Sequence, residues 1–233
     1  MPLILVEGTP GSGKTTTTRK LTEFLLSKSL KVKSFVEFHE DHPIGPVYSK
    51  DSAASVILNT RESKYPYHYW KDLRVEEDEY LIIEAKFLQM TGFFCMLAGG
   101  DENEMLEIPS NILKCLHKDI PVKLIYFAQS NPREHIEKIV EARKVSNEPW
   151  FPWILDMFSQ FPWVKERGLS GDEVYLEAVS SWSLIQREIV EKLSVEKIKV
   201  EDPFVDWESS LQKVQTWVPV SYTHLRAHET PIN

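Results

Sequence analysis

"LILVEGTPGSGKTTTT", Leu3 to Thr18, decides the fold. Leu3 to Val6 form a short apolar run of the kind that fills a strand buried on both faces. Gly8-Thr9-Pro10-Gly11-Ser12-Gly13-Lys14-Thr15 then fits the G-x-x-x-x-G-K-[ST] phosphate-binding pattern, with Thr16 opening the next segment. "TTTTRKLTEFLLSK" follows and places Leu21, Phe24 and Leu25 on one helical face. Strand, glycine loop and helix come in the order the pattern requires. The glycines let backbone N–H groups approach phosphate oxygens, and the helix start adds unsatisfied N–H groups with a partial positive charge. Lys14 is placed to contact the β- and γ-phosphates of a nucleoside triphosphate, and the Thr15 hydroxyl to ligate Mg²⁺. A plain glycine turn before a helix is the alternative, but the four fixed positions coincide by chance in only about one such chain in a hundred.

Working outward, strands and helices alternate. "KVKSFVEF", Lys31 to Phe38, reads as a second strand with Glu37 near its end. Tyr80 to Ile83 make a third, with Glu84 at its exit; "PVKLIYFAQ" makes a fourth and "KIKV" a fifth. Between them, Met105, Ile108, Ile112, Leu113 and Leu116 share a helical face, and Asn131 with Pro132 start a further helix. Gly171 to Leu193 give a long helix, and a last one lies near Asp206 to Trp217. This alternation implies an α/β three-layer sandwich on a mainly parallel five-stranded sheet, with ligands beyond the carboxyl ends of the strands. Residues 1–219 are expected to form one domain, and Glu37 and Glu84 both lie at its functional edge.

Glu7-Gly8 leading into the loop, together with the loop itself, resembles the kinase branch of P-loop NTPases, thymidylate and deoxynucleoside kinases included. The resemblance is specific over residues 3–28 and positional beyond. Regulatory GTPases fit less well, because the chain carries neither Asn-Lys-x-Asp nor Asp-x-x-Gly. The Asp-Glu pair that ends the second conserved strand of motor-type ATPases is absent too. The resemblance implies Mg²⁺-dependent transfer of the γ-phosphoryl group of ATP to a small-molecule acceptor, a nucleoside or nucleotide being the first expectation. A nucleotide-dependent regulatory ATPase or switch that binds a protein partner is the alternative.

The resemblance also suggests roles. It sets the third strand beside the first, aiming Glu84 at Mg²⁺ or its water shell. Glu37 becomes the carboxylate that orients the acceptor hydroxyl and takes its proton. Residues 43–78 become an acceptor-binding insertion and 129–170 a helical lid region, in which Arg143 is favoured as the cation over Arg133, Lys138 and Arg167. Related kinases often follow the carboxylate with arginine; here Ala85-Lys86 stands there, so Lys86 is either a point-charge replacement or a surface residue. Gln89 is a weaker acceptor contact. The aromatic runs Tyr65 to Trp70 and Pro149 to Trp163 suit either a satellite core or the walls of an acceptor pocket, with Trp70 and Trp153 as candidates.

"VEFHEDHPIG", Val36 to Gly45, admits a metal reading through His39, Glu40, Asp41 and His42. A closed structural zinc site needs four ligands at recognisable spacing, and the Pro43 and Gly45 that follow favour a turn. Cys95 and Cys115 lack metal-ligand spacing and read as buried hydrophobes. A net charge of −8 argues against a nucleic-acid polymer as partner, and no apolar run reaches membrane-spanning length. With a start too quickly polar for a signal peptide, the expected location is cytoplasmic. "VSYTHLRAHET", Val220 to Thr230, matches the in-frame translation of a transposon-end sequencing adapter, so residues 220–233, with His224, Arg226 and His228, are expected to be non-native and are given no role.

Overall fold

Successive side chains of a strand face opposite ways, and in β1 (Leu3–Gly8) both faces are apolar: Leu3 and Leu5 join one buried cluster, Ile4 and Val6 another. A strand of that kind must be covered twice. A computed structural model, which describes residues 1–44, 67–116, 120–148 and 150–218, shows how. β2 (Lys31–Phe35), β3 (Glu79–Glu84), β4 (Val122–Ala128) and β5 (Glu196–Glu201) join β1 in an all-parallel sheet of order β2-β3-β1-β4-β5. This is the architecture of a P-loop fold, and the sheet is wholly rather than mainly parallel. Residues 45–66, most of the expected acceptor-binding insertion 43–78, lie outside the described residues, as do 117–119, Pro149 and the tail 219–233.

α1 (Lys14–Ser27) packs Leu21 and Leu25, and α9 (Trp207–Trp217) packs Val214, on the cluster of Ile4, Val6, Ile82 and Ile125. The larger cluster covers the other face. It takes in α2 (Tyr67–Asp72), a π-helical turn Gln89–Phe93 continued by α3 (Phe94–Leu97), and α4 (Glu102–Cys115). α5 (Pro132–Val145), α6 (Trp150–Ser159), α7 (Pro162–Glu166) and the long α8 (Glu173–Lys192) complete that layer. α5 starts where expected, its Asn131 side chain accepting the Glu134 N–H. α4 begins earlier than periodicity suggests, because Asp101 and Glu104 form a reciprocal capping box.

β2 is shorter than its sequence predicts, ending at Phe35 rather than Phe38. Its last pairing is Phe35 with Ile83; beyond it Ala85 turns away with φ 59°, leaving nothing for Glu37 to pair with. The chain instead runs into successive turns, His39 N–H to Val36 C=O and His42 N–H to His39 C=O.

Candidate functional site

β1 delivers the glycine loop to the carboxyl edge of the sheet between β3 and β4. Gly8 has φ 151°, and a Cβ there would lie 2.8 Å from the Phe127 carbonyl oxygen, so strand spacing alone demands glycine. Gly13 has φ 93° and supplies no side-chain cap to α1, whose first backbone bond runs from Thr17 N–H to Gly13 C=O. The N–H groups of Lys14, Thr15 and Thr16 therefore stand at an uncapped helix start, suited to anionic oxygens. Lys14 Nζ donates to the Thr9 carbonyl at 2.9 Å, holding the loop closed around the ammonium. Ser12 closes the turn through its N–H to the Thr9 carbonyl at 3.2 Å. Pro10 accepts from or faces His135 Nε2 at 3.1 Å, while exposed Thr16 lies one turn along from Gly13.

Parallel pairing of β1 with β3 sets Val6 opposite Glu84, and the Thr15 hydroxyl donates to Glu84 Oε1 at 2.6 Å. Glu84 is 1% exposed and its Oε2 has no partner among the described residues. A hydroxyl and a buried carboxylate with a spare oxygen fit Mg²⁺, which keeps several waters and takes few protein ligands besides nucleotide phosphates. Among the described residues no group of three or more His, Cys, Asp or Glu could hold a metal by itself.

After Glu84 the chain doubles back. Ala85, in the left-handed region at a cost of about 1–2 kcal/mol, donates its N–H to the Val6 carbonyl at 3.0 Å. Glu7, fully buried, then accepts the N–H groups of Phe87 (2.7 Å) and Gln89 (3.2 Å). Desolvation pushes the Glu7 pKa up to about 7, against those hydrogen bonds and the Lys14 charge. Glu7 was expected only as a family mark. Its signal was present, since a charged residue ending an otherwise apolar strand must find buried partners.

Gln89, so placed, donates from Nε2 to Glu37 Oε1 at 2.8 Å. Glu37 is half-buried, and desolvation raises its pKa; Lys14, Lys86 and Arg143 oppose that shift and Glu84 adds to it. Lys86 is 2% exposed, so the surface alternative for it falls. Burial lowers its pKa, while Glu37, Glu7 and Glu84 raise it. Arg143, in the last turn of α5, donates to the Tyr175 hydroxyl and stacks 4.2 Å over the Trp150 ring. Arg133 is spent on Glu137, Glu173 and Glu177, Lys138 on Glu134, and Arg167 on the ring and carbonyl of Trp163.

Beside Pro10 and Glu37 lies a cavity of about 90 Å³, walled by Phe93, Trp153, Phe158 and Trp182 among others. Trp70 is not among the wall residues. It is fully buried in the core with its ring 6.1 Å from Phe87, because α2 packs inward on α4. The histidines of the Val36–Gly45 stretch are turn elements: His39 Nδ1 accepts the Asp41 N–H (3.2 Å) and His42 Nδ1 the Ile44 N–H (3.0 Å). Burial pushes the His42 pKa down to about 3, keeping that ring neutral.

Residues 1–63, just over a quarter of the chain, match the family model described as "Chromatin associated protein KTI12". The match spans the strand, the glycine loop and the turn after β2, with the wall residues Pro10, Glu37 and Phe38, and stops short of Glu84, Arg143 and the rest of the cavity wall. No curated protein matches the chain. Among the described residues no helix is long and apolar enough to cross a membrane.

Proposed function

We propose that this chain is an ATP-dependent phosphotransferase acting on a small hydroxyl compound. The observation that carries the reading is the juxtaposition of the glycine loop, through Pro10, with a cavity whose polar end is the Glu37–Gln89 pair. Residues Gly8 to Thr16 cradle the nucleotide phosphates, and Lys14 neutralises charge gathering on the transferred group. Thr15 and Glu84 would hold Mg²⁺, which would supply positive charge against the phosphate oxygens. Glu37, with a pKa raised by burial, orients the acceptor hydroxyl and takes its proton. Arg143 stands within electrostatic reach of Glu37 and supplies positive charge at the closing side.

The test is ATP consumption by the full chain with Mg²⁺ over pooled small hydroxyl compounds. A pool should stimulate turnover in the wild type, and Glu37→Gln should lower it by about 10²–10⁴-fold while ATP affinity stays within twofold or so. Undiminished transfer in that variant removes Glu37 from the mechanism.

The second reading is a nucleotide-dependent regulatory ATPase whose partner is a protein. The family match favours it more directly than the first, since it covers the phosphate-binding end and its description names a chromatin association and no acceptor. Tight ATP binding with no response to any pool would decide for it. On that reading the chain also works beside chromatin.

A further inference from the structure

We infer that the acceptor is an uncharged, predominantly apolar aromatic alcohol or phenol, and that nucleosides, nucleotides and sugar phosphates are turned away. This deepens the phosphotransferase reading and rests on it.

Charge gives the first argument. No lysine or arginine lines the cavity among the described residues, while a carboxylate, Glu37, does. Arg143 is held behind the wall, on the wall residue Tyr175 and on Trp150. A phosphorylated or carboxylated acceptor would set a further anion beside Glu37, whose own charge Lys14, Lys86 and Arg143 already face, at an effective dielectric well below that of water.

Hydrogen-bonding capacity gives the second. At the polar end Glu37 presents a carboxylate, and the Gln89 amide, fixed by its donation to Glu37, leaves Oε1 buried with no partner among the described residues. Both accept. They call for a donor, and a single hydroxyl supplies one. Around them the wall is Phe93, Phe94, Met157, Phe158, Trp153 and Trp182, where the indole N–H of Trp182, buried without a partner among the described residues, offers little to the many polar edges of a base or sugar.

Size gives the third. About 90 Å³ is below the roughly 150 Å³ of a dry cavity that takes up benzene, so one ring fits only if the wall yields. Met90 and Met157 line the cavity, and their unbranched thioethers repack at low cost. A nucleoside needs far more room.

In the reaction the acceptor oxygen forms a bond to the γ-phosphorus of ATP, and the bond from that phosphorus to the β,γ-bridging oxygen breaks with its electron pair leaving on ADP. The hydroxyl proton passes to Glu37 and then to water, so the products are an aryl or arylalkyl phosphate, ADP and one proton.

The experiment uses the full chain, Mg²⁺ and γ-labelled ATP, with benzyl alcohol, 2-phenylethanol and phenol in one arm, thymidine and dTMP in another, and glucose 6-phosphate in a third. ATP affinity is measured alongside. Label should enter the first arm with kcat/KM at least about tenfold above the others, and Trp153→Ala should raise the KM of that acceptor about tenfold with the ATP KM unchanged. Preferred labelling of dTMP, thymidine or glucose 6-phosphate overturns the acceptor class and leaves the phosphotransferase reading standing. Bound ATP with no label in any arm overturns both. Transfer to an aryl alcohol with a KM indifferent to Trp153→Ala overturns the placement in this cavity.

Discussion

The phosphate-binding loop and the cavity beside it, the proposed acceptor end, are made in opposite ways. The first is one uninterrupted segment, Gly8 to Thr16, whose working groups are largely backbone N–H, set by glycine geometry and a helix start. The second is assembled from the turn after β2, the π-helical turn after β3, α6 and α8, and its working groups are side chains. A backbone site tolerates little change of sequence but needs little support. A side-chain site depends on everything packed behind it.

Four measurements break or sharpen this contrast, and the largest effect belongs to the packed end. Phe158 is 2% exposed, meets Phe93 edge-on at 5.3 Å and stacks on Tyr175 at 5.9 Å. Phe158→Ala should cost about 3–5 kcal/mol in denaturant unfolding, with nucleotide affinity in the still-folded fraction unaffected. Loss of nucleotide binding at the same protein stability would show the two ends to be one unit. Lys14→Ala should do the reverse, cutting nucleotide-dependent turnover about 10²–10³-fold, or roughly 3–4 kcal/mol, with the unfolding midpoint little changed.

Glu7 joins the two ends, since it leaves β1 and holds the Phe87 and Gln89 N–H groups. With its pKa raised from 4.5 to about 7, the folded chain keeps a proton that the unfolded chain has released between those values. Stability should therefore fall as pH rises through that window, by about 3 kcal/mol at most, and change no further from this group above it. Thermal melts of nucleotide-free wild type and Glu7→Gln from pH 4.5 to 8 should diverge, the wild type losing more; parallel curves would refute the linkage. The smallest effect is expected at Arg133, 38% exposed amid Glu137, Glu173 and Glu177. Arg133→Ala should cost under about 1 kcal/mol and leave turnover alone, whereas a large loss of turnover would make it, rather than Arg143, the closing cation.

Much of the fold was legible because strand periodicity and apolar runs are local signals: all five strands and the helices after β1, β4 and β5 fall where their patterns put them. The exceptions are instructive. β-prone residues carried the second strand to Phe38 on paper, but a strand extends only while its neighbour does, and β3 ends at Glu84. Trp70 and Trp153 look alike in composition, yet one is core and the other cavity wall, because α2 turns inward and α6 faces the loop. For Lys86 the sequence left a surface position and a point charge in the site both open, and its place behind the left-handed Ala85 buries it.

The sequence by itself determined the phosphate-binding loop, the parallel sheet that presents it and the two carboxylates at the sheet's edge, since each depends on neighbours a few positions away. It took the tertiary structure to link Glu7 to Glu37 through Gln89, to bury Lys86, to turn the charge of Arg143 toward Glu37, and to make the cavity beside them apolar. Those facts depend on chain segments far apart in sequence, brought together by burial of two hydrophobic faces, and no local pattern encodes which side chains such burial leaves facing one another.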